Sequence, residues 1–161
     1  MTDYDTLLIE LEKEEQDIQF TSFTNATALQ VGMRLVEVAQ HDGHAVTVDI
    51  TRGGQQLFHY ALAGTSRDND EWIRRKNRVV MRFGHSSYYM GTSYKRQQTT
   101  IQDKSLLDPR KYAAHGGAFP IIIRGVGVVG TVTVSGLAQE EDHRLVVGVL
   151  REMCGAPSLT I

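Results

Sequence analysis

Residues 114–137 form the most apolar and glycine-rich segment of this 161-residue chain. A membrane span needs about 20 consecutive apolar residues, and Arg124 interrupts this segment near its middle. Residues 125–130 match the dinucleotide-binding pattern G-x-G-x-x-G, which binds pyrophosphate because a helix begins at its last glycine. Here Gly130 is followed by the β-branched run Thr-Val-Thr-Val-Ser, which is typical of a strand. The segment is therefore predicted to be neither a membrane helix nor a phosphate-binding loop.

The same segment is predicted to form a β-hairpin. Residues 118–124 and 128–135 have strand composition, and the glycines of 125–127 supply the turn. A second hairpin is predicted upstream, because apolar and polar residues alternate over 46–51 and a Gly-Gly turn follows. This alternation indicates a half-buried strand.

Apolar residues at helical spacing predict helices between and around these strands. We expect a short additional strand before the second helix, a single domain over 1–161, and an α/β (α+β) fold. Its mainly antiparallel five-stranded sheet would be flanked by helices. The predicted helices are 3–17, 25–40, about 68–94 and 140–154, and the additional strand is 18–23.

Two of these helices carry conspicuous apolar stripes. The second is apolar nearly all round, including Leu29 and Met33, and is therefore predicted to be deeply buried. In the third, Trp72 and Val79 begin a stripe that indicates core packing rather than a cofactor cage. Its spacing predicts one helix that continues toward Tyr94.

Composition and charge limit the compartment and the partners. Cys154 is the single cysteine, which excludes an internal disulfide, and the acidic N-terminus lacks the features of a secretory signal. We therefore expect a cytoplasmic protein. Residues 1–20 carry seven acids and one base, whereas residues 67–111 carry eleven bases and five acids. The basic segment can attract the acidic helix, face an anionic ligand, or form a solvated surface.

Three polar clusters are candidates for a functional site. His115-Gly116-Gly117 precedes a buried strand, where glycine permits close backbone approach and histidine can bind metal or transfer protons. Asp142 and His143 lie at the start of the last helix. The third cluster is the basic face of the third helix with the histidine that follows it, namely Arg74, Arg75, Lys76, Arg78 and His85.

Several other chemistries find little support. His41 and His44 lie in a loop with no thiolate nearby, so no metal site is predicted. Cys154 is placed in the last turn of a helix, whereas a reactive thiol favours an electropositive site or a helix N-terminus. Nucleic acid is an unlikely partner, because the net charge is −2 and aromatic residues do not interleave with the basic run.

Motifs along essentially the whole chain carry a family resemblance. They are His115-Gly-Gly-Ala-Phe-Pro-Ile, Gly127-Val-Val-Gly-Thr-Val-Thr-Val-Ser-Gly-Leu and Asp142-His-x-Leu-Val-Val. Together they resemble the haem-degrading domain family, the GlcG/HbpS-like proteins. Upstream, Asp70-Glu-Trp-Ile-Arg-Arg-Lys-Asn-Arg-Val followed by Ser86-Ser resembles a largely uncharacterised branch of that family.

The resemblance implies a profilin-like fold, subunits that assemble as dimers into larger homo-oligomers, and a groove at the subunit interface. It also implies haem or a related tetrapyrrole as a possible cofactor, since some relatives bind such molecules. The sequence has no Cys-x-x-Cys-His attachment motif and no haem ligand that spacing alone identifies.

These observations support one leading hypothesis and two alternatives. The leading hypothesis is an oligomeric cytoplasmic protein that binds a small anionic or tetrapyrrole-like ligand in a pocket near the subunit interface. The first alternative is an enzyme in which His115 or His143 acts as a general acid–base beside Asp142. The second is a protein-interaction module that uses the basic helix. The predicted ligand-binding residues are Arg75, Lys76, Arg78, His85, His115, Gly116 and Gly117.

Overall fold

The computed structural model describes residues 3–155 of the chain. Over these residues it contains six helices and four strands. The predicted profilin-like α+β class, with a mainly antiparallel sheet flanked by helices, is confirmed. The elements are α1 (Tyr4–Asp17), α2 (Asn25–His41), β1 (Thr47–Arg52), β2 (Gln55–Ala61), α3 (Arg67–Phe83), α4 (Ser87–Arg96), α5 (Ile101–Ser105), β3 (Ala118–Ile123), β4 (Gly127–Ser135) and α6 (Gln139–Cys154).

The sheet has the strand order β2–β1–β4–β3, and its neighbouring strands are all antiparallel. Both predicted hairpins are present, as β1–β2 and β3–β4. Gly125 and Gly127 adopt φ values of +79° and +118° in the β3–β4 turn, a region that favours glycine. The segment 114–137 therefore contains a hairpin, as predicted. Among residues 3–155, no helix is long and apolar enough to cross a membrane.

One face of the sheet forms the main core with α2 and α6. Burying each large apolar side chain contributes about 1.5–3 kcal/mol, so this layer fixes both helices against the sheet. The core residues with 0% exposure include Val48, Ile50, Phe119, Ile121, Val132 and Val134 from the sheet, Val31 and Leu35 from α2, and Val146 and Leu150 from α6.

The opposite face of the sheet is polar and lies beneath α3. Thr47, Asp49 and Thr133 are at most 2% exposed, so the prediction of a half-buried strand is wrong for most of β1. Asp49 accepts hydrogen bonds from the Thr51 hydroxyl at 3.0 Å and from Gln56 Nε2 at 2.7 Å. Such bonds compensate the cost of removing polar groups from water. A polar strand face can therefore be buried when another element supplies its partners.

The predicted fifth strand over 18–23 is reduced to a single bridge. Phe20 pairs with Ile123 in parallel orientation. Its N–H donates to the carbonyl of Ile122 at 2.9 Å, and its carbonyl accepts from the N–H of Arg124 at 2.8 Å. Ile18 and Phe20 belong to the main core. Their alternation reflects burial rather than a strand ladder.

The long third helix is divided into α3 and α4. Gly84 has φ of +74° and ends α3, with its N–H donating to the Val80 carbonyl at 2.8 Å. Ser86 begins α4 because its hydroxyl accepts the N–H of Tyr89 at 3.1 Å. The prediction of one continuous helix to Tyr94 is therefore wrong.

α2 is buried on one side only. Ala28, Val31 and Leu35 are 0% exposed, but Leu29 and Met33 are 56% and 59% exposed. The prediction of deep burial all round is therefore wrong. Periodicity shows that a helix is apolar, but it does not show whether the same chain covers each side.

Candidate functional site

A cleft lies between the first turns of α3, the segment 115–117 and the loop that leads into α6. Its volume is about 330 Å³, at the lower end of the roughly 300–1,000 Å³ typical of ligand sites. It is the candidate functional site. The cleft is lined by Asp68, Asn69, Trp72, Lys76, His115, Gly116, Ser135, Gly136, Leu137, Gln139 and Asp142.

Lys76 lies at the base of this cleft and is 3% exposed. Its Nζ donates to the carbonyls of Gly116 and Val134, both at 2.9 Å, and to Asp142 Oδ2 at 3.3 Å. An ammonium group has three N–H donors, so these acceptors use all of them. Lys76 therefore joins α3 to the glycine segment, β4 and α6, and it acts as a positioning residue beneath the cleft.

Asp142 provides the opposite charge and is 2% exposed. Its Oδ1 accepts the N–H of Leu137 at 2.9 Å, and its Oδ2 accepts the N–H of Gly136 at 3.4 Å. Burial raises the pKa of Asp142 and lowers the pKa of Lys76, and the attraction between the two charges opposes both shifts. Removing either partner would leave a buried charge without compensation.

Gly116 and Gly117 are required by close packing around this pair. A Cβ on Gly116 would overlap the Gln139 carbonyl, and one on Gly117 would lie 2.5 Å from Lys76 Nζ. Gly117 also has φ of +135°, which other residues rarely adopt. The close backbone approach expected of these glycines is present. The approaching groups belong to the protein itself.

His115 forms an exposed wall of the cleft. Its ring lies edge-on to Trp72 with centroids 5.3 Å apart, and the Arg75 guanidinium lies 4.1 Å from the indole centroid. Partial burial, with the positive charges of Lys76, Lys95 and Arg75, lowers the pKa of His115. Within residues 3–155 its ring nitrogens have no hydrogen-bond partner. A neutral imidazole of this kind can accept a proton or bind a metal.

Two other candidate histidines lie against α1 rather than in the cleft. His143 is 2% exposed, with Nε2 2.7 Å from Glu14 Oε1. His85 Nδ1 is 2.7 Å from Glu15 Oε1, and its ring stacks on Tyr89. The predicted combination of His143 with Asp142 as an acid–base pair does not form here, because His143 is hydrogen-bonded to Glu14 instead.

The basic face of α3 is divided among several contacts. Arg74 pairs with Glu71, and Arg78 Nη1 donates to the Lys111 carbonyl at 3.1 Å. Arg78 lies outside the cleft, as does His85. Of the predicted ligand-binding set, the structure therefore gathers Lys76, His115 and Gly116 at the cleft, with Gly117 and Arg75 beside them.

Sequence reasoning did not single out some of the lining residues. Trp72 was assigned to the core but is only half-buried and forms a wall. Asn69 Nδ2 donates to Ser135 Oγ at 3.2 Å, and Gln139 Oε1 accepts the N–H of Gly116 at 3.0 Å. Their position in the sequence could have indicated them, because Ser135 and Gln139 lie on either side of Gly136, which follows a buried strand.

A second polar cluster was also missed. His59 of β2 lies between two carboxylates, with Nδ1 3.0 Å from Asp49 Oδ1 and Nε2 3.1 Å from Asp70 Oδ1. It links the sheet edge to the first turns of α3. In the part of the chain from 3 to 155, no group of three or more His, Cys, Asp or Glu residues could hold a metal ion.

Residues 23–151 match the model of a family described as haem degrading protein HbpS-like. The chain belongs to this family. The HbpS-like match runs from the residues just before α2 into the last turn of α6, and α1 lies outside it. The resemblance noted from the sequence motifs is thereby confirmed.

The chain is also similar to several UPF0303 proteins. One from Streptomyces coelicolor is 53% identical over 146 residues, which cover 91% of this chain and 92% of the relative. Another from Edwardsiella ictaluri is 48% identical over 148 residues, which cover 92% of this chain and 94% of the relative.

Solved structures show the same HbpS-like architecture. The crystal structure of the Ybr137w protein has a TM-score of 0.85 at 36% identity and covers 92% of this chain and 87% of that one. HbpS has a TM-score of 0.64 at 18% identity, covering 83% of this chain and 91% of its own. A structure described as a PduOC:Heme complex has a TM-score of 0.67 at 17% identity, covering 88% and 99%. At these low identities the last two share the fold alone.

Proposed function

We propose that this HbpS-like chain is a single-domain cytoplasmic protein that binds a small anionic or tetrapyrrole-like ligand in the cleft, as a homo-oligomer. The observation that carries the proposal is His115. Its imidazole is exposed at the cleft wall, its pKa is lowered, and it has no hydrogen-bond partner within residues 3–155. A ring held in this state is available to a ligand near neutral pH.

The surroundings of His115 suit an acidic ligand. Arg75 stacks on Trp72, and among residues 3–155 its side chain makes one hydrogen bond, from Nη1 to the Pro109 carbonyl at 3.4 Å. The remaining guanidinium donors can bind a carboxylate. We infer that Arg75 binds the acidic group and that His115 contacts the body of the ligand.

Haem fits this donor set in part. His115 would supply an imidazole to the haem iron and Arg75 would pair with a propionate, two kinds of contact that haem proteins commonly use. A volume of about 330 Å³ accommodates a small acid or one edge of a macrocycle. The PduOC neighbour is described as a haem complex, which supports testing haem first.

The test is a haemin titration followed by the absorption band of the bound form. We expect saturable binding with about one haemin per chain, and about tenfold or greater weakening in His115→Ala. His85→Ala is the matched control, because His85 is bonded to Glu15 away from the cleft. Iron-free protoporphyrin tests the acidic contact separately, and its binding should weaken in Arg75→Gln. An unsaturable wild-type titration, or equal affinity in His115→Ala, rejects the haem site.

The two alternatives have weaker support. For the enzyme, Asp142 already binds Lys76 and two backbone N–H groups, which leaves His115 as the accessible acid–base group. For the interaction module, Arg74 pairs with Glu71 and Lys76 is buried. The exposed face of α3 therefore presents fewer unpaired positive charges than the number of basic residues in its sequence suggests.

A further inference from the structure

β2 forms one edge of the sheet, and no strand within residues 3–155 pairs with its outer side. Its sequence, Gln-Gln-Leu-Phe-His-Tyr-Ala, has no Pro, Lys, Arg, Asp or Glu. Natural proteins protect exposed sheet edges with such residues because an open edge can pair with another strand. The opposite edge, β3, contains Pro120 and is bridged by Phe20. β2 has a bulge at Leu57, where its register with β1 shifts, but it has neither a charged residue nor a proline to protect its outer side.

An exposed apolar flank of α2 lies beside this edge. Leu29, Met33 and Tyr60 are 56%, 59% and 48% exposed. Phe58 and Tyr60 pair with Ile50 and Val48, whose side chains face α2, so the aromatic residues of β2 point to the same side as the helix. We call β2 together with Leu29 and Met33 the α2–β2 surface.

We propose that a second copy of this chain covers the α2–β2 surface by antiparallel pairing of β2 with β2 about a two-fold axis. This inference rests on the assembly part of the proposed function and names the surface that mediates it. A two-fold axis perpendicular to the sheet leaves both α2 helices on the same face of one continuous eight-stranded sheet. Leu29 and Met33 of each copy then face the other copy.

Standard spacings support this arrangement. α2 contacts both β1 and β2, and Gly32 lies directly over the Phe58 ring. Strands are about 4.8 Å apart, so the axis lies about 2.4 Å outside β2, and a helix above the β1–β2 boundary lies about 5 Å from it. The two α2 helices would therefore be about 10 Å apart, the distance at which helices pack. One two-fold rotation therefore pairs β2 with β2 and brings the two α2 helices into contact.

Charge favours a second copy over an unrelated partner. A two-fold axis places each residue near its own copy, so an isologous strand pair has to avoid like charges. A pairing centred on Phe58 brings residues 55–57 of each copy near residues 59–61 of the other, and the bulge at Leu57 shifts their exact register. No Asp, Glu, Lys or Arg of one β2 strand therefore faces the other strand, and His59 is hydrogen-bonded to carboxylates of its own chain.

The available area agrees with a dimer. A seven-residue strand and the adjacent helix flank give a strip of roughly 24 by 20 Å, or about 500 Å² of projected area per protomer. Two such strips reach the roughly 1,000 Å² that separates a biological interface from an incidental contact. An extended peptide would pair with the edge and leave Leu29 and Met33 exposed, whereas a second copy covers both.

The test is the native mass of the full-length protein and of Met33→Glu and Tyr60→Lys. Both side chains are exposed in the protomer, so these variants should keep the wild-type circular dichroism spectrum. We expect an assembly of even subunit number in the wild type and about a 100-fold or greater rise in the dissociation constant in each variant. Met81→Glu is the matched control, because Met81 is 52% exposed on α3. It should assemble like the wild type.

Hydrogen exchange identifies the strand pairing directly. Amides of β2 should exchange slowly in the wild type, and some should become fast in Met33→Glu, whose substitution lies outside the strand. A monomeric wild type overturns both the assembly and this surface. A wild-type assembly that persists unchanged in Met33→Glu and Tyr60→Lys overturns the surface alone and leaves the assembly standing. Neither result depends on haemin binding, which tests the cleft separately.

Discussion

Lys76 shows how one buried charge can organise a site. Lysine is almost never fully buried unless it is paired, and here its three donors meet two carbonyls and one carboxylate. The acceptors belong to the glycine segment, β4 and α6. The ammonium group therefore fixes the floor of the cleft, while His115 and Trp72 form its accessible wall.

Replacing this lysine should be costly. Lys76→Met leaves Asp142 buried without its counter-charge, so we expect a loss of about 3–5 kcal/mol in the free energy of unfolding. Chemical denaturation measures this loss. Arg82→Met, an exposed change on the same helix, should alter stability by no more than about 0.5 kcal/mol. The double variant Lys76→Met/Asp142→Leu should lose less than the sum of the two single variants, and strict additivity would show that the pair is not coupled.

Gly117 combines two constraints that a pair of variants can separate. Gly117→Ala forces alanine to φ of +135° and places a Cβ against the Val134 carbonyl and 2.5 Å from Lys76 Nζ. Gly125→Ala meets a positive φ of +79° with open space around it. We expect about 1–2 kcal/mol of destabilisation at Gly125 and a larger loss at Gly117. Thermal unfolding measures both, and equal losses would show that the close contacts with Val134 and Lys76 add nothing to the cost of the positive φ.

The secondary structure predicted from the sequence is correct where local patterns decide it. The β3–β4 hairpin follows from β-branched alternation around two glycines, and α6 follows from its acidic first turn and apolar face. The break at Gly84 was missed because the apolar spacing continues across it. Val79 of α3 and Met90 of α4 pack in the same small cluster, so the stripe keeps its phase although the helix ends.

Long-range partners explain the remaining errors. The buried polar face of β1 depends on side chains supplied by β2 and α3, which no spacing within β1 reveals. For the cleft, the sequence indicates His115 and Gly116 because they precede a buried strand, Asp142 because it lies at the start of the last helix, and Lys76 because it belongs to the basic face of the third helix. His85 and His143 look equivalent in sequence, but α1 supplies Glu15 and Glu14 to them. Only the tertiary structure distinguishes the cleft residues from these two histidines, which lie against α1.

The contact between α1 and His85 should make stability depend on pH. The hydrogen bond to Glu15 raises the pKa of His85 above its ordinary 6.5, and Glu12 on α1 adds to the effect. The resulting stabilisation is fully present below pH 6.5 and is lost as pH rises through the higher folded-state pKa. The difference in unfolding free energy between wild type and His85→Gln should therefore shrink with rising pH.

Denaturation at a series of values from about pH 6 to about pH 9 measures this difference. Because the His85 side chain is 37% exposed, we expect its full size to be no more than about 1 kcal/mol. His41→Gln is the control, since its side chain is 88% exposed at the end of α2. A His85→Gln difference that stays constant or grows with pH contradicts the assigned direction.

The cleft and the α2–β2 surface are connected through α3. Asp70 lies next to Asn69, which lines the cleft, and Asp70 also binds His59 of β2. A second copy paired along β2 would therefore adjoin the helix end that forms the cleft. This arrangement agrees with the family expectation of a groove near the subunit interface. In the proposed assembly, a cleft of modest volume in one chain would be extended by the neighbouring copy.

Assembly through β2 has a consequence for thermal stability. If the folded dimer is in equilibrium with unfolded monomers, raising the protein concentration about 100-fold stabilises the dimer by about 2.7 kcal/mol, half of it for each chain. For a chain of this size we expect Tm to rise by about 3–5 °C. Differential scanning calorimetry across that range measures the rise. Met33→Glu should give a Tm that does not depend on concentration, and Met81→Glu should follow the wild type. When association is coupled to folding, Tm has to depend on protein concentration. A wild-type Tm that does not change with concentration would therefore mean that the folded state does not need its partner.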